Sequence, residues 1–216
     1  MFTSITATPD NGPQEHIPRS SPPWVWVGFV FAVIFFVVAV TGGVMEALGA
    51  EAGLVTMING LLIVIGIISF IYWLFCIHRI HKILAELTNN RYSISPGEAA
   101  LKHIIPILGV IWLFQWPAEL SRYLNERGRV KMISGHAIGA MLLLSVLLRW
   151  IDGSFGTVAL FGVTMFVSSK LKAHVKALKG ATPEQLPPLP DPRIFSRPIE
   201  TSTTPAPETV ERSQVG

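Results

Sequence analysis

His78 and His81 are the first residues in this chain whose type and spacing suggest chemistry. They stand three apart in CIHRIHKILAEL, which places them near one another on a helix. Such a pair can share a metal ion or a haem, with Cys76 or His103 completing the set. No CxxC, HExxH or CxxCH motif accompanies them. The plainer reading makes them interfacial polar residues beside the stripe Ile80, Ile83, Leu84 and Leu87. His136 lies early in another apolar run. A membrane histidine can relay protons or hold a pigment, but no second deep histidine is visible, and interfacial hydrogen bonding is the simpler reading. Glu119 and Arg122, three apart after Pro117, read as a local ion pair on a solvated helix face. Glu119 is also the acid of the central region best placed for function. His78, His81 and His136 are thus cofactor candidates on type and position alone. No catalytic residue, metal set or nucleotide loop is expected, and bound lipid is the one ligand the composition suggests.

The elements that must position these residues are membrane spans. Of 216 residues, 50% are hydrophobic and only 14% charged, against about a quarter charged in soluble domains. Uncharged windows run from Trp24 to Met45 and from Leu54 to Ile77, each long enough to cross a bilayer as a helix. Two further runs, Met132–Trp150 and Ser154–Ser169, read as a hairpin around the turn Ile151–Gly153. Ile104–Trp116 is a shorter run, containing Pro106 and Gly109 and closed by Pro117. Extended to 99–117, it suits a re-entrant or interfacial helix better than a span. Amphipathic helices are expected at 78–88, 118–128 and 170–179. Ser95, Pro96 and Glu98 form a helix start. A polar arm with several prolines covers 1–23, and a disordered Pro/Thr-rich tail covers 180–216. The tail includes a proline-ligand candidate at Leu186–Pro190. The single cysteine, Cys76, rules out a disulfide within the chain.

Charge orders these segments. The link 46–53 has no Lys or Arg, whereas Arg79, Lys82, Arg91, Lys102, Arg122, Arg127, Arg129 and Lys131 crowd between the second and fourth runs. A crossing at 99–117 would put these basic regions on opposite sides, against the positive-inside tendency. The expected fold is therefore an all-α integral membrane protein. It has four transmembrane helices (24–45, 54–77, 132–150, 154–169), a re-entrant or interfacial helix at 99–117, and both termini cytoplasmic. Five spans are the alternative. No acid or base is expected at mid-depth, which argues against ion-coupled transport. The net charge of +3 sits beside apolar runs and reads as topology, not nucleic-acid binding. Trp73, Trp112 and Trp116 are expected in packing or interaction. Gly135 and Gly139 form a small-xxx-small pair for helix packing or oligomerisation.

Tyr72–Leu87, Tyr92–Ala99 and Ile104–Asn125 together resemble small bacterial integral-membrane proteins of uncharacterised function. The likeness covers residues 54–170 and implies the bacterial inner membrane as location. It brings no catalytic residue. The expected function is a non-catalytic scaffold or accessory subunit, with lipids and other subunits or further copies of itself as partners. A small transporter or channel component, and a lipid-modifying enzyme using His78, His81, His103 or Glu119, are the alternatives. The enzyme would need those side chains to meet in one place.

Overall fold

A computed structural model describes residues 17–92, 94–127 and 130–181. The first part of the arm, Gly128, Arg129 and the tail from 182 with its Leu186–Pro190 motif lie outside the described residues. Six helices follow in order: α1 (Val25–Ala47), α2 (Ala52–Leu87), α3 (Pro96–Lys102), α4 (Pro106–Glu126), α5 (Gly135–Ile151) and α6 (Gly153–Lys179). Among the described residues, α1, α2 and α6 are long and apolar enough to cross a membrane, and α5 is a shorter apolar helix. The chain is thus an all-α, multi-pass membrane-helix bundle.

α1 and α2 form a hairpin whose outward surface is almost wholly apolar, with Val30, Val37, Ile63, Ile67 and Ile71 exposed. α2 has 36 residues, about 54 Å of helix, well beyond a hydrocarbon core of about 30 Å. The amphipathic stretch expected at 78–88 is therefore a direct continuation of the apolar one. It ends where Asn89 and Asn90 take left-handed backbone, φ 50° and 59°, which asparagine tolerates better than most residues. The amide of Asn90 then donates to Ala85 O and that of Tyr92 to Thr88 Oγ1, so the chain folds back along α2. Ser95 Oγ accepts from the Glu98 amide to cap α3, with Pro96 at its first position.

The boundary expected at Pro117 is not there: α4 runs straight through it. Proline has no N–H and crowds the carbonyl four residues back, here that of Leu113. A glycine meets that exposed carbonyl. A Cβ on Gly139 of α5 would stand 2.9 Å from Leu113 O, and one on Gly135 would collide with the Ala118 backbone. The small-xxx-small pair thus seats α5 on the proline of α4, within one chain. Asn125 closes the α4–α5 connection by accepting from the Met132 amide at 2.8 Å and donating to the Met132 carbonyl at 3.2 Å.

α5 and α6 turn on Asp152, whose carboxylate accepts from the amides of Ser154 and Phe155, each at 2.9 Å. A Cβ on Gly156 would meet the Arg149 backbone. The register of this hairpin against α1 and α2 is set by a few contacts. Phe161 fills the space over Gly28, and its ring lies 6.3 Å from that of Tyr72. Trp73 Nε1 donates to Thr164 Oγ1 at 2.9 Å. Phe155 lies 6.2 Å from Phe36, and Arg149 Nη2 reaches Gly66 O at 3.4 Å. The turn therefore lies beside the middle of α1 and α2. Arg149, expected to snorkel at the end of a span, thus places its guanidinium against the α2 backbone. The close fit of the Phe161 ring over Gly28, where a Cβ would collide with it, helps to fix the sliding position of the turn.

Candidate functional site

The strongest concentration of polar chemistry surrounds His81. The α2 continuation places it one helical turn past the apolar run, and the Asn89–Asn90 reversal brings Tyr92 back to it. His81 is wholly buried. Its Nδ1 lies 2.9 Å from Tyr92 Oη, and the Tyr92 ring stacks on it with centroids 5.5 Å apart. Trp112 and Trp116, one turn apart on α4, supply two further walls. Trp112 stacks on His81, and Trp116 meets it edge-on, each with centroids 5.7 Å away. Lys102 Nζ sits 4.7 Å from the Trp112 centroid, a cation–π contact.

Tyr92 is also hydrogen-bonded to Glu119, so a chain of polar groups runs Glu119–Tyr92–His81. Burial pushes the Glu119 carboxyl up to about 7, while the Tyr92 hydrogen bond and the charges of Arg122 and Lys102 pull the other way. Burial, followed by the charge of Glu119, holds the Tyr92 phenol well above its ordinary value. When Glu119 is ionised, Tyr92 donates to it and must accept from His81 Nδ1–H, which leaves Nε2 as an acceptor. When Glu119 is protonated the chain can reverse, and Nε2 then carries the proton. Within the described residues no hydrogen bond reaches His81 Nε2, His103 Nε2, Trp112 Nε1, Trp116 Nε1 or Glu119 Oε2, although all five atoms are buried.

The other expected residues separate from this cluster or stand at its edge. His103 Nδ1 donates to Ala99 O at 2.8 Å, and its ring meets Trp73 edge-on at 5.0 Å. His78 is half-buried on α2, and His136 is exposed at the start of α5. Arg122 acts on Glu119 through its charge. Among the described residues no three His, Cys, Asp or Glu side chains come together as a metal-ligand set, and Cys76 is a buried free thiol. Sequence reasoning missed Tyr92 as the link between His81 and Glu119. The Asn-Asn pair just before it was the available signal, because two left-handed residues return the chain onto its own helix. It also missed His174, buried on α6 with its ring 5.7 Å from Tyr123 of α4.

Fold and cluster together define a small multi-span all-α membrane protein with a buried aromatic and histidine core at one end of its bundle. Protein-family models, curated proteins and solved structures yield no match to the chain.

Proposed function

We propose that the protein is a non-catalytic scaffold or accessory subunit of a membrane complex. The observation that carries this reading is the enclosure of His81, at 0% exposure, by the rings of Tyr92, Trp112 and Trp116. A general base must come within hydrogen-bond reach of its substrate, whereas a polar core locked by aromatics positions helices. The basic residues Arg79, Lys82, Lys172, Lys176 and Lys179 gather toward the C-terminal ends of α2 and α6, and Glu46 and Glu51 flank the α1–α2 link. By the positive-inside tendency this supports a cytoplasmic position for the histidine end and for both termini. The resemblance noted above supports the bacterial inner membrane. Purification from native membranes in mild detergent tests the reading. A stoichiometric partner or a defined homo-oligomer is expected, and a lone monomer overturns it.

A lipid-modifying enzyme is the second reading, favoured by the Glu119–Tyr92–His81 chain and the near-neutral Glu119. It requires that Glu119→Gln abolish turnover of a membrane lipid while the fold survives.

A further inference from the structure

We infer that only α1 and α2 cross the bilayer, and that the α5–α6 hairpin and the α3–α4 corner are wedged among the acyl chains of a single leaflet. The inference rests on reading α1 and α2 as spans.

The depth of each element follows from its contacts. Tyr72 and Trp73 stand one turn before the end of the apolar run of α2 at Ile77, and Tyr72 Oη donates to the carbonyl of Trp24 at the head of α1. Trp24, Tyr72 and Trp73 therefore mark one interface, as aromatic residues do in membrane proteins. Thr164 of α6 lies at that level through its hydrogen bond to Trp73. From Thr164 back to Asp152 is twelve residues, about 18 Å of helix, or roughly half of a bilayer. The turn arrives beside Gly66 and Phe36 and stops. α1 continues for eleven residues past Phe36 to Ala47, about 16 Å more. α2 has as much or more on its side of Gly66, back to Ala52. Beyond the turn these two helices meet each other, with Gly42 against Ile58, and among the described residues neither α5 nor α6 reaches that far.

α4 enters from the same side. Leu113 packs beside Gly139, which lies ten residues, about 15 Å, above Arg149. Pro106 is seven residues, about 10 Å, nearer the midplane than Leu113 along α4, and His103 of the α3–α4 corner meets Trp73, so the corner lies just beneath that interface. The corner is apolar and outward-facing, with Leu101, Ile104, Leu108 and Ile107 exposed, the last at 77%. On the hairpin, Leu144, Leu147, Trp150 and Ile151 are exposed, the last two at 86% and 84%. Such large side chains at this depth match hydrocarbon rather than water. The two ionisable groups of the turn are arranged for the same setting. Asp152 spends its carboxylate on the α6 amides, and Arg149 lies on Gly66 O and over the Phe70 ring at 5.1 Å. Both line an open groove of about 460 Å³ against Phe35, Ala39, Leu62 and Ile63, in which Asp152 itself stays exposed.

The test is side-specific labelling of the full chain in sealed vesicles, using a membrane-impermeant maleimide and a Cys76→Ala background. Single cysteines are placed at Ala50→Cys, Asn90→Cys and Ile151→Cys, with Trp150→Cys as a second reporter should Ile151→Cys fail to insert. Ala50→Cys and Asn90→Cys are expected to react from opposite sides. Ile151→Cys should react from neither side until detergent is added, and a nitroxide there should be more accessible to oxygen than to a soluble nickel chelate. Reaction of Ile151→Cys on the Ala50 side means a full crossing and overturns the inference. Reaction on the Asn90 side means a hairpin outside the membrane and overturns it equally. Ala50→Cys and Asn90→Cys on one side would instead remove the reading of α1 and α2 as spans.

Discussion

Glu119 sets the behaviour of the buried cluster. In the fold it keeps its proton up to about pH 7, against an ordinary carboxyl value of 4.5. A carboxyl whose folded value is raised stabilises the fold fully below the unfolded value, and that contribution is lost as pH rises through the folded one. Thermal stability in detergent should therefore fall between about pH 4.5 and pH 7 through this group. Glu119→Gln should flatten the fall and recover ~2 kcal/mol above pH 7, after allowance for the carboxyl's partial exposure. A wild-type minus variant difference that is flat with pH would show that Glu119 does not titrate in this range. Tyr92→Phe cuts the chain in the middle and leaves two buried partners unmatched. It should cost about 1–3 kcal/mol, read as a lower unfolding midpoint than that of an exposed control such as His136→Gln.

Among elements, the α4–α5 contact leaves no room for an added side chain. A methyl at Gly135 meets the backbone of Ala118, not a side chain that can swing away. Gly135→Ala should therefore destabilise by ~2 kcal/mol or more. Gly43→Ala, where a Cβ meets nothing within 4 Å, should be neutral or slightly stabilising. Equal loss in the two variants would contradict the packing. The α2–α6 register depends on the Trp73–Thr164 hydrogen bond. A double-mutant cycle of Trp73→Phe and Thr164→Val should return a coupling of ~1 kcal/mol, and additive effects would mean the bond contributes nothing.

At the scale of the whole molecule, the inferred wedge makes the protein asymmetric across the bilayer. One leaflet holds parts of all six described helices, and the other holds two. Inserted volume in one leaflet favours curvature that expands it. In tubules drawn from giant vesicles, labelled protein should be enriched on the tubule when the histidine end faces outward. Uniform density between tubule and vesicle body would argue against the wedge.

Membrane character was legible in the residues. Long uncharged runs leave backbone groups that only helices can satisfy in lipid, so α1 and α2 follow from composition and length. The cap at Ser95 was legible too, because it depends on four adjacent residues. The helix through Pro117 was not, since its continuity depends on what packs against the freed carbonyl of Leu113, a glycine more than twenty residues away. His81 and Glu119 stood out by type, but their connection through Tyr92 required the chain reversal at Asn89 and Asn90 and the docking of α4 onto α2. Arg149 shows the same division most clearly. Hydropathy placed it at the end of an apolar run, and that remains true along the chain. Its level along α2 is a sliding position between helices, and Phe161 against Gly28 and Trp73 against Thr164 help to set that position across the bundle, through contacts no local window contains.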